Sequence, residues 1–343
     1  MRFRPLQPAS APQPTAGAAV DPPTRMRAAV IDGTGSPDLL RAASLGVPAP
    51  VMDELLVRVV AAGVNPIDAK TRGGAGLSAA IRDFPATLGF DFSGIVVKSP
   101  YESHPLTPGT PVYGMLAFPR SAGSYAEYAV VPSQSVARKP VALSHVEAAG
   151  VPLAALTAWG LVVETAHAHE GQRVLIHAGS GGVGHFAVQF AAYFGAHVTA
   201  TGSARNASWL RELGASVVID YTTTRFEDVI ADVDVVIDLV GNARASTGER
   251  SLTVLRPGGL YIVVPTGSWP GYAAATHAAG VRATSFKVTP DGNALATIGR
   301  LLDSGAVQVY IDRVFDLNDA AAAHAELERG HTRGKIVLRV SDD

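Results

Sequence analysis

A glycine-rich segment is the part of this chain whose residue types and spacing most directly imply chemistry. Residues 179–184 carry glycine at the first, third and sixth positions, between a predicted strand over residues 173–178 and a predicted amphipathic helix over 182–195. In that context the first glycine permits a tight turn, the second lets backbone approach a pyrophosphate, and the third allows close helix–strand packing. The helix N-terminus adds amide donors and a positive dipole. We interpret this as a dinucleotide-binding loop rather than a structural glycine turn, with contacts from Gly179, Ser180, Gly181, Gly182, Val183 and Gly184.

The next predicted strand, over residues 197–201, indicates which dinucleotide is bound. An NAD site usually ends this strand with an acid that holds the ribose 2′-hydroxyl. Here the chain continues Gly202-Ser203-Ala204-Arg205 without an acid. Ser203 can hydrogen-bond a 2′-phosphate and Arg205 can form charge-assisted bonds to it. The pattern predicts NADP(H), the alternative being that Arg205 is a solvated residue that opens a helix.

Alternating strands and helices surround this loop and position further residues. Strands are predicted over 217–219, 233–239 and 260–264, and helices over 206–213 and 243–255, which argues for a parallel sheet. Dinucleotides lie at the carboxyl ends of strands in open α/β sheets. We therefore expect Gly241, Val264 and Pro265, which follow two of these strands, to contact the cofactor.

The rest of the chain lacks this regular alternation of strands and helices. Strands are predicted over 26–31, 54–62, 92–98 and 124–131, an apolar helix over 151–165, and two helices and a last strand over 293–304, 318–329 and 335–340. Residues 1–24, rich in proline and alanine, are predicted to be a disordered extension. We expect an α/β protein in which a small unit of irregular β-strands precedes a parallel sheet of alternating strands and helices.

Composition excludes several classes of protein. The 343 residues are 47% hydrophobic, with 28 Lys and Arg against 30 Asp and Glu, so no overall basic charge suggests nucleic acid. The absence of cysteine excludes disulfides, thiolate zinc sites and a cysteine nucleophile, and fits a cytoplasmic location. Prolines break up the N-terminus and glycines or prolines interrupt the uncharged runs, so we expect neither export nor a membrane span.

A series of short motifs, in order along nearly the whole chain, resembles the zinc-free branch of the medium-chain dehydrogenase/reductase superfamily, the quinone oxidoreductase-like proteins related to zeta-crystallin. Besides the glycine-rich loop, the motifs are Gly63-Val64-Asn65-Pro66-Ile67-Asp68, Leu88-Gly89-Phe90-Asp91-Phe92-Ser93-Gly94, Gly123-Ser124-Tyr125-Ala126-Glu127-Tyr128, Leu156-Thr157-Ala158-Trp159, Asp238-Leu239-Val240-Gly241 and Gly334-Lys335-Ile336-Val337-Leu338. The resemblance implies a GroES-like β domain over residues 25–148, completed by 290–343. It also implies an inserted Rossmann domain with a doubly wound parallel sheet over 149–289, and a cleft where the two domains meet. We also expect a homodimer.

Departures from the zinc-dependent relatives are informative. Those relatives place cysteine in the segment that here is 65–68, Gly-His-Glu where Gly89-Phe90-Asp91 stands, and a four-cysteine lobe in the region of residues 99–119, and none of these ligands is present. We therefore expect no metal, and no Lewis acid to polarise an alcohol or carbonyl.

The resemblance implies reduction of quinones or α,β-unsaturated ketones. Negative charge then builds on a carbonyl oxygen and requires donors, for which the candidates are the Asn65 amide and the Lys70 ammonium. The alternative for Lys70 is a surface lysine or a partner of Asp68. Asp68 orients Lys70 or the cofactor, or else caps the following helix. In relatives the position of Thr157 contacts the nicotinamide and that of Tyr221 the adenosine phosphate. Lys335 is either a cofactor contact or a strand-edge charge.

The sequence thus predicts an NADPH-dependent, zinc-free oxidoreductase that acts on a small-molecule quinone or enone. Two alternatives remain open. One is an enoyl-thioester reductase of lipid or polyketide type, and the other is a non-enzymatic NADPH-binding protein with a structural or regulatory role. No histidine is assigned a catalytic role.

Overall fold

The computed structural model describes residues 22–117, 123–242 and 245–342. Residues 1–21 of the predicted disordered extension lie outside that part, as do the first two residues of the helix predicted over 243–255. The strands are β1 (Arg25–Ile31), β2 (Arg41–Gly46), β3 (Glu54–Val64), β4 (Ala86–Thr87), β5 (Asp91–Lys98), β6 (Pro111–Met115), β7 (Tyr128–Pro132), β8 (Val136–Arg138), β9 (Arg173–Ile176), β10 (His197–Gly202), β11 (Val217–Asp220), β12 (Val233–Asp238), β13 (Leu255–Val263), β14 (Arg282–Ser285), β15 (Ile311–Asp316) and β16 (Lys335–Arg339). The α-helices are α1 (Pro66–Arg72), α2 (His145–Ala149), α3 (Pro152–Trp159), α4 (Gly184–Tyr193), α5 (Ala207–Glu212), α6 (Thr247–Leu252), α7 (Tyr272–Ala278), α8 (Gly292–Asp303) and α9 (Ala320–Glu328).

Strands from both ends of the chain build the β part of the molecule. A small sheet has the order β2-β1-β4, and a larger one has the order β15-β16-β3-β5-β6-β8, with β7 also paired to β3. Strand β3 is central and buried along almost its whole length, which explains why its sequence is apolar apart from Glu54 and Arg58. The C-terminal strand β16 pairs antiparallel with β3, Ile336 opposite Val64. That register brings Lys335 to the level of Asn65, 270 residues away in sequence.

The third sheet is the predicted doubly wound parallel sheet. Its order is β11-β10-β9-β12-β13-β14, and every neighbouring pair of strands is parallel. The fold class is therefore confirmed. Strand β14 was not predicted, because it is an outer strand with no fully buried residue and so lacks an apolar pattern. Helix α7, which precedes it, buries a single residue, Thr276, and was missed for the same reason.

The predicted helix over residues 151–165 is divided in two. Helix α3 ends at Trp159, and residues Gly160–Thr165 form a π-helical turn. A side chain at Gly160 would overlap the ring of Phe286, and the Thr165 hydroxyl donates to the Gly160 carbonyl at 2.7 Å. Packing against Phe286 therefore coincides with the change of helical geometry, which apolar periodicity does not reveal.

One apolar core joins the two sheet systems. It contains Phe90, Tyr113 and Met115 of the β part together with side chains of β9, α4 and β12. Helices α3 and α8 lie at this junction, and the Tyr113 hydroxyl donates to the Leu295 carbonyl of α8 at 2.6 Å. Burial of shared apolar surface holds the two parts in a defined relation. In the described part of the chain, no helix is both long and apolar enough to span a bilayer.

We predict that Tyr113→Phe lowers the free energy of unfolding by about 1 kcal/mol, because it removes one buried hydrogen bond and leaves the apolar contacts in place. Urea unfolding measures this change. Tyr101→Phe is the matched control, since Tyr101 is 57% exposed. Equal destabilisation by the two substitutions would contradict a role for the Tyr113–Leu295 bond at the junction.

Candidate active site

The glycine-rich loop lies between β9 and α4, as predicted. Ala178 has a left-handed backbone, φ +52°, which turns the chain out of the strand. The Gly179 amide donates to the Thr201 carbonyl at 2.9 Å, and the Gly181 amide donates to the Ala178 carbonyl at 3.0 Å. The loop is thereby fixed at the carboxyl ends of β9 and β10.

Two of its glycines are required by close packing. A Cβ at Gly184 would overlap the Ala178 carbonyl oxygen, and one at Gly179 would lie 2.9 Å from the Ala200 Cβ. Gly182 faces the aliphatic part of Lys335, whose Cδ would be 3.2 Å from an added Cβ. The loop is therefore a close-packed cradle in front of a helix N-terminus, which fits the pyrophosphate of a dinucleotide.

The predicted adenosine-phosphate residues lie together at the ends of β10 and β11. Ser203 follows β10, and its hydroxyl accepts from the Asn206 side chain at 3.3 Å. Arg205 is exposed and donates one bond, at 2.6 Å, to the His331 carbonyl. The Tyr221 amide donates to the Gly202 carbonyl at 3.2 Å, and its ring is 60% exposed.

The remaining predicted cofactor residues lie along the same edge of the sheet and on α3. Gly241 has a φ of +79°, and its amide donates to the Asp238 carboxylate at 2.8 Å. The Val264 amide donates to the Asp238 carbonyl at 3.0 Å, and Pro265 follows it half-buried. On α3, the buried Thr157 hydroxyl donates to the Leu153 carbonyl at 2.6 Å.

A buried polar cluster lies opposite the loop, on the β part. The Lys335 ammonium donates to the Asn65 side-chain oxygen and, at 3.2 Å, to the Val64 carbonyl. The Asn65 Nδ2 donates to Asp91 Oδ2 at 2.9 Å, which fixes the amide orientation. Asp91 Oδ1 accepts from the Leu153 amide at 2.8 Å, and Asp91 Oδ2 is 3.8 Å from Lys335 Nζ.

Asp68 lies beside this cluster. Its Oδ2 accepts from the Asn65 amide at 2.8 Å, so it caps α1, which is one of the roles predicted for it. Its Oδ1 is buried without a hydrogen-bond partner. Asp68 also interacts with Tyr125, whose hydroxyl is 3.1 Å from His324 Nε2.

The electrostatics of the cluster follow from burial. Burial raises the pKa of Asp68 to about 7, and that of Asp91 to about 6 against the opposing effect of Lys335. Burial also lowers the pKa of Lys335, although both carboxylates favour its charged form. The difference between the carboxyl and ammonium pKa values is therefore smaller than usual.

Lys70 is in the last turn of α1 with an exposed side chain. Among the described residues, its ammonium forms no hydrogen bond or ion pair with Asn65 or Asp68, which bond to each other. The ammonium at Asn65 belongs to Lys335, which was predicted as a cofactor contact or strand-edge charge.

A cleft separates the loop from the cluster. Its lining includes Asn65, Gly182, Val183, Thr332, Gly334 and Lys335. The Gly334 amide donates to the Ser180 carbonyl at 2.9 Å, so the segment before β16 is attached to the loop. The described residues include no cluster of three or more His, Asp or Glu suited to a metal ion.

Several residues of the site were missed from sequence, namely Asp91 as a cluster member and the buried Arg72, Tyr125 and His324 behind it. Asp91 carried a signal: it is the one charged residue in the otherwise uncharged segment 88–97. The other three gave none, because their contacts join segments that are distant in sequence.

Comparisons with known proteins agree with this architecture. A family model for the alcohol dehydrogenase GroES-like domain matches residues 52–141, and one for zinc-binding dehydrogenase matches residues 213–338. The chain is 37% identical to the 2-methylene-furan-3-one reductase of Solanum lycopersicum, over 92% of this chain and 79% of the relative. It is 34% identical to the chloroplastic NADPH-dependent alkenal/one oxidoreductase of Arabidopsis thaliana, over 92% and 80%. The quinone oxidoreductase of Coxiella burnetii superposes with a TM-score of 0.86 at 35% identity, covering 92% of this chain and 100% of that one.

The chain belongs to the medium-chain dehydrogenase/reductase superfamily, in the branch of the quinone oxidoreductase-like proteins. The predicted resemblance and the prediction of an oxidoreductase are thereby confirmed.

We predict that Gly184→Ala weakens NADPH binding at least tenfold, about 1.4 kcal/mol, because the new Cβ must displace the backbone of the loop. Titration of tryptophan fluorescence with NADPH measures the dissociation constant. Gly46→Ala is the control, since an added Cβ there has no atom within 4 Å. Unchanged affinity in Gly184→Ala would show that the loop does not hold the cofactor.

Proposed function

We propose that this protein is an NADPH-dependent reductase of quinones or α,β-unsaturated ketones that works without a metal. The observation that carries the proposal is the cleft in which the dinucleotide loop faces a buried amide and ammonium, those of Asn65 and Lys335. The names of the tomato and Arabidopsis relatives, a furanone reductase and an alkenal/one oxidoreductase, support this class of substrate.

NADP(H) fits the residues present. The loop would hold the pyrophosphate, Ser203, Arg205 and Tyr221 the adenosine phosphate, and Thr157, Gly241, Val264 and Pro265 the remainder of the molecule. Asp220, at the end of the neighbouring strand, is the nearby acid that could instead hold the ribose 2′-hydroxyl of NAD(H). Its carboxylate, however, already accepts two hydrogen bonds from Thr222, at 3.0 and 2.7 Å. When bound, the reduced nicotinamide supplies a hydride.

The cluster supplies donors for the charge that develops on the substrate. One Asn65 Nδ2 hydrogen is used by Asp91, and within the described residues the second has no partner, so it is available to a carbonyl oxygen in the cleft. Lys335 adds a positive charge in the same wall. Donors held in place before reaction stabilise an oxyanion without reorganisation. Lys70 remains a predicted donor from the sequence, and its exposure makes Lys335 the better placed of the two lysines.

NADPH oxidation with three substrates tests the proposed function. We expect turnover of 1,4-benzoquinone and of a simple enone, unchanged by EDTA. Oxidation with crotonyl-CoA alone would instead support the thioester reductase, and oxidation with none of the three would support the non-enzymatic alternative. Loss of activity together with stoichiometric zinc would contradict the metal-free part of the proposal.

We also propose a cytoplasmic homodimer. The absence of cysteine supports the compartment. The outer strand β14 supports the dimer, because an outer strand offers backbone groups to a second copy. Sedimentation at micromolar concentration distinguishes a dimer from a monomer.

For coenzyme choice, we predict that NADPH binds at least tenfold tighter than NADH, about 1.4 kcal/mol, and that Arg205→Ala removes much of this preference. NADH affinity should stay nearly constant, because NADH has no 2′-phosphate for the guanidinium to bind. Dissociation constants for both coenzymes provide the measurement. Equal values in the wild type would contradict the assignment.

For the donors, we predict that Asn65→Ala lowers kcat and kcat/KM together by between about 10-fold and about 100-fold, with little change in NADPH affinity, since the amide acts on the developing charge. Steady-state kinetics with an enone measures this. Lys70→Ala distinguishes the two lysines. If kcat falls by the same factor, Lys70 acts on the substrate oxygen; if kcat is unchanged, Lys335 is the lysine that does so. An Asn65→Ala enzyme with wild-type kcat would contradict the proposed oxyanion site.

A further inference from the structure

Three ionisable side chains share one buried site behind the cleft wall. Asp68 and Asp91 are fully buried and Lys335 is 3% exposed. They come from α1, β5 and β16, and Lys335 interacts electrostatically with both carboxyls. Two carboxylates and one ammonium leave one negative charge uncompensated. Such a charge is costly in a low-dielectric interior, and a carboxyl can avoid that cost by holding a proton.

Other charged groups nearby do not supply the missing positive charge. Arg72, on α1, forms an ion pair with Glu328 of α9 and donates to His324 Nδ1 at 3.3 Å. Because a guanidinium only donates, this His324 nitrogen must be unprotonated, and burial lowers the pKa of His324 to about 3. His324 is therefore neutral, and its Nε2 hydrogen is directed at the Tyr125 hydroxyl.

The hydrogen bonds indicate where the proton is held. Both oxygens of Asp91 accept N–H bonds, from Leu153 and Asn65, which favours the ionised form beside Lys335. Asp68 accepts a single N–H bond, at Oδ2 from Asn65, and it also interacts with the Tyr125 side chain. Asp68 therefore has fewer N–H donors than Asp91 and is the carboxyl of the pair that retains the proton more readily. The pKa of Asp68, about 7, is higher than that of Asp91, about 6, as expected if Asp68 is the carboxyl that holds the proton.

We propose that Asp68, Asp91 and Lys335 form the proton store of the reaction, and that Lys335 passes its proton to the α-carbon of the reduced enone. The inference rests on the proposed function, since it concerns the second half of that reaction. Lys335 is the member that lines the cleft, with its aliphatic part against Gly182 of the loop.

The proton transfer from Lys335 completes the reduction of an enone. Addition of hydride to the β-carbon opens the C=C bond and leaves an enolate. An Nζ–H bond of Lys335 then breaks, the nitrogen keeps the electron pair, and the enolate pair forms the new C–H bond at the α-carbon. Asp68 returns a proton to the neutral amine, and water reprotonates Asp68 after the product leaves. Asp91 stays ionised and holds the ammonium and the Asn65 amide in place.

Product stereochemistry tests the assignment independently of rate. Reduction of 2-methylcyclopent-2-enone in D₂O by the wild type should give one configuration at the α-carbon, with one deuterium there. Lys335→Met should still deliver hydride to the β-carbon, at least about tenfold more slowly, but give a near 1:1 mixture at the α-carbon because water then protonates the free enolate. A racemic wild-type product, or a single configuration from Lys335→Met, would overturn the proposal.

Proton uptake gives a readout without turnover, and so remains informative if the proposed function fails. An anionic coenzyme beside the cluster raises its carboxyl pKa values, so proton uptake should accompany binding of NADPH, whose reduced nicotinamide is uncharged, at pH 7. Calorimetry in buffers of different ionisation enthalpy measures this number. The 2′-phosphate of the coenzyme also titrates near this pH. Its contribution is the same for every variant, so the proton uptake of each variant is compared with that of the wild type.

Asp68→Asn should take up about half a proton fewer than the wild type, since the amide keeps an oxygen to cap α1 but cannot hold the proton. Asp53→Asn, on the surface, is the control and should match the wild type. Equal proton uptake by wild type and Asp68→Asn would overturn the proton store, even if the protein reduced no enone. A wild type that reduces no enone but shows the difference would refute the proposed substrate and retain the buried proton.

Discussion

The bond between the Lys335 ammonium and the Asn65 side chain is the interaction on which the rest of the site depends. It joins the last strand of the chain to the turn that begins α1, and Asp91 extends it to the first turn of α3. A buried ammonium is stable only where acceptors replace water, and here they are an amide oxygen, a carbonyl and a nearby carboxylate. The C-terminal strand is therefore part of the site as well as of the sheet.

The need to keep the Lys335 ammonium beside its acceptors also explains the positions of several glycines and of one backbone hydrogen bond. Gly63 lies opposite Asp91 in the sheet, and a Cβ there would be 2.9 Å from the Asp91 Cβ, so glycine leaves room for the carboxyl. Gly182 leaves room for the stem of Lys335. The Gly334–Ser180 bond attaches the same C-terminal segment to the dinucleotide loop. Cofactor loop and polar cluster are thus held on opposite sides of one cleft by a single stretch of chain.

Much of this could be predicted from sequence, but only where the signal was local. The loop over residues 179–184 was predicted because its spacing, preceding strand and following helix lie within one short segment. The buried cluster was not, because Lys335 meets Asn65 only through the pairing of β16 with β3. Lys70 was favoured because it lies just beyond the turn at Asn65 and because the enone-reducing branch of the family resembles this sequence in having lysine there, yet its side chain is exposed. Outer strand β14 was missed because exposure removes the apolar pattern.

The central claim is that the two buried carboxyls share one ammonium and therefore retain a proton near neutral pH. Carbon-13 NMR of labelled aspartate carboxyls, assigned with Asp68→Asn and Asp91→Asn, measures this most directly. The account predicts midpoints of about 7 for Asp68 and about 6 for Asp91. Midpoints of both carboxyls near the ordinary value of about 4 would contradict it.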